Sequence, residues 1–386
     1  VLARIVGIEE VIVRDCAFTG LPEEYKDSTI SIFDIRNNPL NMPLPRWLPQ
    51  WSAIRSLSLP NTGLTGSFYP ELGAMDKIAG LDLSINPDLR GTMHPEWGGM
   101  AALETFVIYE TGLSGTIPPE LGQLKALWLF VITFTDITGT LPPELGDMTS
   151  MYQLLIYNNP GLSGTLPPEL GKLPGLSVLK LFANNLTGTI PPSWGTDMAA
   201  MYQLELGKNH LEGTIPPGFP LLAKLKLEEN RLAGGLDVLC DKPQLQTVDV
   251  SSNAISAFPT TCDVYVKELN MAFNAFTGDI PSAERVHGLV TLKASHNQFS
   301  GGLLPSSWAK LNDTLESVDF SHNALAGPVS AYLDVLKHGT TLATVDFSHN
   351  ALSGILQDSL FYVVNDHFLQ GMVRLFLNDN YITGLI

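Results

Sequence analysis

The chain has 386 residues and a formal charge of −17; 45% of its residues are hydrophobic and only 16% are charged. That acidity argues against nucleic acid or an anionic membrane as a general partner, because both select for basic faces. No run approaches the roughly 18 consecutive apolar residues that a bilayer-crossing helix needs, and Val1-Leu2-Ala3-Arg4 lacks the basic-then-apolar order of a signal peptide.

One wording recurs along the chain, most plainly as Leu179-x-Leu181-x-x-Asn184-x-Leu186-x-Gly188-x-Ile190-Pro191. Aligned on the Asn, the equivalent positions are Cys16, Asn38, Thr62, Asn86, Thr111, Thr135, Asn159, Asn184, Asn209, Asn230, Asn253, Asn274, Asn297, Asn323, Asn350 and Asn380. Steps of 21 to 27 residues, with a last step of 30, predict a solenoid in which each repeat contacts only its neighbours. Residues 1–386 therefore read as a single solenoid of about sixteen coils.

Within a coil, paired apolar residues such as Leu204 and Leu206 alternate with an exposed one, the period of a short strand. Such strands would stack into a parallel sheet. The following Asn turns inward, where its amide can both donate to and accept from backbone groups that the bend leaves unpaired. Thr62, Thr111 and Thr135 can do part of that work with a hydroxyl, and Cys16 only weakly. Gly188 suits close backbone approach, and Pro191 ends further pairing. The Ile-Pro-Pro wording disappears late in the chain, so the second, convex pairing should fade after about Pro281. Ala331 to Leu336, and Leu360 to Val364 continuing through Phe368-Leu369, fit short helices on the convex side.

Gly115-Thr116-Ile117-Pro118-Pro119-Glu120-Leu121-Gly122, Gly139 to Gly146 and Gly164 to Gly171 resemble plant-type leucine-rich repeats, a family that includes receptor ectodomains and polygalacturonase-inhibiting proteins. Thr-for-Asn coils such as Thr135 to Glu144 are also similar to trypanosomatid leucine-rich-repeat surface antigens. The resemblance implies an α/β repeat solenoid: a curved right-handed superhelix with a concave parallel β-sheet and an irregular or 3-10 convex side. The paired-Cys cap that precedes the first coil in plant members is missing, and Ile386 falls inside a repeat. Uncovered terminal coils expose sheet edge and core, which implies either further chain or another molecule at the ends, including end-to-end self-association.

The resemblance places partner binding on the concave face. The outward positions there are Val107, Tyr109, Val131, Phe134, Leu155, Tyr157 and Phe182, whereas most other coils carry charged or small residues such as Asp249, Ser251, Lys293 and Asp319. Contiguous apolar patches with aromatic residues mark interaction sites. Glu205, Lys208, Lys226, Glu228 and Glu229 form a mixed-charge rim suited to steering. A register slip of one residue would instead put the patch in the core.

Ser295-His296-Asn297, Ser321-His322-Asn323 and Ser348-His349-Asn350 would stack three imidazoles. That column is a pH-dependent surface, a metal site, or simply common wording, with Asp319 and Asp346 as pairing partners. Cys240 and Cys262 fall at nearly the same point of adjacent coils, within reach of a disulfide; Cys16 reads as a buried free thiol. Asn185-Leu186-Thr187 and Asn312-Asp313-Thr314 are glycosylation acceptors.

The sequence contains no nucleophile elbow, phosphate loop, Cys-x-x-Cys or His-Glu-x-x-His, and Glu120, Glu144 and Glu169 repeat at one surface point rather than forming an acid/base pair. The expectation is a non-catalytic, secreted or cell-surface module that binds a protein or peptide and uses no cofactor, metal, nucleic acid or membrane insertion. The alternatives are a structural coat or filament joined through the ends, and a glycan- or ice-binding face at Thr116, Thr140 and Thr165.

Overall fold

The computed structural model of the chain describes residues 7–336, 339–356 and 373–385. It packs as two compact units, Val1–His210 and Leu211–Ile386. In the first, parallel strands follow one another in chain order: Glu10–Ile12, Ile32–Asp34, Ser56–Ser58, Gly80–Asp82, Thr105–Tyr109, Leu129–Thr133, Gln153–Tyr157, Val178–Lys180 and Gln203–Glu205. In the second, the same arrangement runs through Lys224–Lys226, Thr247–Asp249, Glu268–Asn270, Thr291–Lys293, Ser317–Asp319, Thr344–Asp346 and Arg374–Phe376. Register is strict: Leu154 lies opposite both Phe130 and Leu179, so equal offsets in the repeat become neighbours in space.

In the twelve coils that carry it, the inward Asn ties the coil to the one before it. Asn209 Oδ1 accepts the Leu186 amide at 3.0 Å, while its Nδ2 donates to the carbonyls of Leu181, Leu206 and Gly207 at 2.9, 3.0 and 3.1 Å. One side chain thus satisfies backbone groups of two coils, groups that burial would otherwise leave unpaired. Thr135 does less: its amide and hydroxyl both lean on Asn159 Oδ1, at 3.0 and 2.7 Å. Cys16 departs from expectation. It is exposed, its Sγ donating to the Arg14 carbonyl, and Asn38 of the next coil instead binds Phe18 N and Val13 O. A weak donor has too little to offer an inward turn.

The residue before each inward position carries the bend. All sixteen of these residues, from Asp15 to Asp379, have φ between 50° and 58°. None is glycine, and Ile85, Phe134 and Phe273 are among the residue types that visit this left-handed region least readily. The ladder holds them there.

On the convex side, 3-10 turns such as Pro119–Gln123, Pro143–Asp147 and Pro168–Lys172 bury Leu121, Leu145 and Leu170. Their glycines set how closely consecutive turns approach: a Cβ on Gly122 would lie 2.3 Å from the Glu144 carbonyl oxygen. A second set of short strands pairs between coils, from Gly66–Ser67 to Asn185–Thr189 in the first unit and through Arg231–Gly235 to Ala254–Ala257 in the second. Beyond Ala257 the continuous sheet ends; pairing persists between Thr277–Gly278 and Gln298–Phe299, and a three-stranded sheet follows as Ala326–Pro328, Ala351–Leu356 and Tyr381–Leu385. The expected fading after Pro281 is therefore an interruption. The chain detours through the loop that leads to Cys262, and pairing resumes in pieces, first at Thr277–Gly278 and then from Ala326 onward.

Helix is scarce. Ser330–Leu336 matches the first expected helix, and Leu360 to Leu369 lies outside the described residues. Among the described residues, no helix is long and apolar enough to cross a membrane.

Cys240 and Cys262 are disulfide-bonded with Cα atoms 5.4 Å apart, closing a separation of 22 residues. In the chain-entropy model a loop of that length is worth about 3 kcal/mol, so reduction should lower the denaturation midpoint of the second unit while the first is unaffected. Asn209→Ala should cost about 2–3 kcal/mol by orphaning buried backbone groups, and Asn209→Thr less, because the Thr62 and Thr135 coils run on hydroxyls. Chemical denaturation of the two variants measures this, and equal losses would show that the second hydrogen-bonding group of the amide is not what matters.

Candidate functional site

The two faces of strand Gln153–Tyr157 are cleanly separated: Leu154 and Ile156 are buried, and Leu155 and Tyr157 are half-exposed. Strand Thr105–Tyr109 repeats this with Val107 and Tyr109 outward, and strand Leu129–Thr133 with Val131. No register slip places these side chains in the core. Tyr157 and Phe182 occupy the same position two residues before their ladder Asn, and their rings stack at 4.3 Å with 16° between planes.

Phe134 sits one place later than Tyr157 in the repeat. The residue truly opposite Tyr109 and Tyr157 is Thr133, which is buried. Phe134 occupies the left-handed position, is 53% exposed, and meets Tyr157 edge-on at 6.3 Å. The cluster Phe134–Tyr157–Phe182 is therefore continuous even though its members come from two rows. Tyr109 borders it: burial, followed by the neighbouring carboxylates Asp82 and Glu110, raises its pKa, against the opposing effect of Arg36.

One flank of the first unit's face is ionic. Asp34 is buried and accepts from both Arg14 and Arg36, each at 2.7 Å. Burial pushes its carboxyl up, but the hydrogen bonds from Arg36 and Arg14 outweigh this and hold it below its usual range. On the other flank Glu205 is buried rather than a free rim charge; it accepts from Gln203 at 2.6 Å and lies 3.8 Å from Lys180. In the second unit Lys226 lines a shallow hollow of about 350 Å³ with Asp249, Glu268, Asn270 and Lys293. Among the described residues, no three His, Cys, Asp or Glu side chains converge as a metal site would require.

A feature missed in the sequence lies seven residues before the ladder position. Trp128, Tyr152 and Tyr202 share that offset and are 39%, 48% and 49% exposed, with Ser177 between the two tyrosines. The signal was available, since applying one offset across coils reveals it, but it falls outside the positions between the ladder leucines.

Asn185 is exposed at the start of strand Asn185–Thr189, and Asn312 is half-buried after the turn Ser306–Leu311. Thr116, Thr140 and Thr165 are exposed, yet their γ-methyls abut the next coil: Cβ atoms on Gly139, Gly164 and Gly188 would lie 2.8, 2.6 and 2.9 Å from them. This row spaces the coils, which accounts for its regularity without a ligand.

In the second unit the rings of Phe273, His296, His322 and His349 form one stack with centroid separations of 4.0, 4.1 and 4.0 Å. Asp319 and Asp346 do not pair with the imidazoles as expected. Each accepts the amide two residues on, Ser321 at 2.8 Å and Ser348 at 2.9 Å, while His349 lies 3.2 Å from Asp379. Burial, then the His322 ring, lowers the pKa of His296 from 6.5, with Asp319 opposing and His349 adding to the shift. The unfolded chain therefore takes up this proton first. The associated stability is fully present above pH 6.5 and is lost as pH falls through the folded value. His296→Asn should flatten the decline in unfolding midpoint between about pH 7 and about pH 5. An unchanged slope would place the sensitivity elsewhere.

No protein-family model matches the chain, and no curated protein matches it. Solved structures do. The chain is similar to the TDR receptor (22% identity, TM-score 0.74, covering 100% of this chain and 74% of that one). It is similar to the Arabidopsis receptor kinase HAESA, solved with the peptide hormone IDA and the co-receptor SERK1 (23%, 0.73, covering 97% and 66%). It is also similar to a leucine-rich-repeat protein of Leptospira interrogans (23%, 0.73, covering 98% and 92%). The chain thus spans about two thirds of the length of HAESA. At these identities the likeness is one of fold, and the chain has the fold of the plant-type leucine-rich-repeat solenoids.

Proposed function

We propose that the chain is a non-catalytic recognition module that binds a protein or peptide on the concave face of its first unit. The observation that carries this reading is the cluster of Phe134, Tyr157 and Phe182, three rings packed on one another yet open to solvent beside Val107, Val131 and Leu155. Contiguous apolar surface of this kind marks interaction sites, and aromatic anchors dominate binding energy at interfaces. The flanking ion pairs are already satisfied within the chain, so they set the borders of the patch rather than its affinity. HAESA, similar in fold, holds a peptide hormone, which supports the class of partner.

A secreted or cell-surface setting suits the disulfide and the exposed acceptor Asn185. Enzymatic deglycosylation of the secreted chain, read by mass spectrometry, checks both acceptors. Occupancy is expected at Asn185 and to a lesser degree at half-buried Asn312.

The Tyr157→Asp, Phe182→Asp double variant should weaken capture of the partner at least a hundredfold, about 3 kcal/mol, with only a small change in the thermal midpoint because both rings are half-exposed and lie outside the core. Capture at native strength by the folded variant would move the site off this patch.

A further inference from the structure

We propose that the row Trp128, Tyr152, Tyr202 is a second binding surface, a platform for an uncharged polysaccharide chain lying along the stacking direction of the first unit's coils. Three rings stand exposed at one offset on the strand-entry edge. At about 4.8 Å per strand, Trp128 and Tyr152 are one spacing apart and Tyr152 and Tyr202 two. A row of exposed aromatic rings set at multiples of one spacing fits a linear ligand whose own units repeat, and the axial carbon–hydrogen faces of pyranose rings stack on aromatic rings.

Two further observations choose the class of ligand. The strand entries have no backbone groups to offer: the amides of Trp128, Tyr152, Ser177 and Tyr202 donate to the carbonyls of Glu104, Trp128, Tyr152 and Ser177 at 2.9, 3.0, 3.0 and 2.9 Å. A peptide therefore cannot add here as an extra strand, the mode in which main-chain bonds supply affinity. The row and the residues that follow it (Leu129, Gln153, Val178 and Gln203) carry no formal charge in a chain of net −17. The surface offers aromatic rings, phenol hydroxyls and the side-chain amide of Gln153, which makes no hydrogen bond among the described residues, and these suit a partner rich in hydroxyls and free of charge.

Retention of the whole chain on insoluble cellulose and chitin, and its retardation by soluble xyloglucan and laminarin in affinity electrophoresis, tests this. At least one of these neutral probes should bind. Trp128→Ala with Tyr152→Ala should weaken that binding tenfold or more, and Tyr202→Ala alone to a smaller extent, while Tyr157→Asp with Phe182→Asp leaves it unchanged. The single variant Tyr152→Ser, at a half-exposed ring, guards against misfolding of the double variant. Absence of binding to all four probes, binding unaltered by the folded ring variants, or binding confined to anionic polygalacturonate and abolished by salt would each overturn the proposal. Because the Tyr157/Phe182 variant is read separately, loss of protein capture and loss of glycan binding remain distinguishable.

Discussion

The constraint on which everything else depends is the inward amide that joins twelve of the sixteen coils to the one before them. A parallel strand of three to five residues cannot hold a turn by itself, and the chain must bend sharply directly after it. Asn209, Asn230 or Asn297 places an acceptor on an amide of the preceding coil and donors on carbonyls of its own. The bend forces the residue before it into left-handed backbone geometry, whatever its identity. A residue such as Phe134 is strained there by local preference and held by the ladder.

That strain has a geometrical consequence, because the left-handed residue projects from the margin of the sheet rather than from its regular face. In the first unit the position holds Phe134, which reaches the ring of Tyr157 from outside the strand alternation. In the second it holds Phe273 and three histidines, stacked because the offset repeats with little drift. Columns of this kind arise wherever one residue type is repeated at one offset. The fold supplies proximity; the chemistry depends only on which side chain is repeated.

Most of the fold was legible for the same reason. The ladder residues, the outward rows and the shared offset of Cys240 and Cys262 all follow from superposing coils, a single geometrical assumption. Failures occurred where local chemistry departs from the repeat. Cys16 aligns with the ladder yet stays exposed, since a thiol cannot replace an amide. Thr133 takes the place of an aromatic and is buried, shifting the ring to Phe134. The convex pairing is interrupted at the Cys262 loop, survives as the single pair Thr277–Gly278 with Gln298–Phe299, and extends again from Ala326. The Trp128 row was not legible because it stands at the strand entry, outside the alternation of the ladder leucines that marks which side chains face outward.

The acidity of the chain also changes meaning once its carboxylates are placed. Asp82, Asp249, Asp319 and Asp346 occupy the outward position next to the bend, and each accepts the backbone amide two residues on, at 2.8 to 3.1 Å. Asp34 does the same for Arg36, while also holding two guanidinium groups. These carboxylates complete turns, as short acidic side chains commonly do. A net charge of −17 therefore does not describe a concave surface waiting for a cation. It reflects in part a structural habit shared by five coils, and the proposed recognition patch lies where aromatic and aliphatic side chains stand in place of the aspartates.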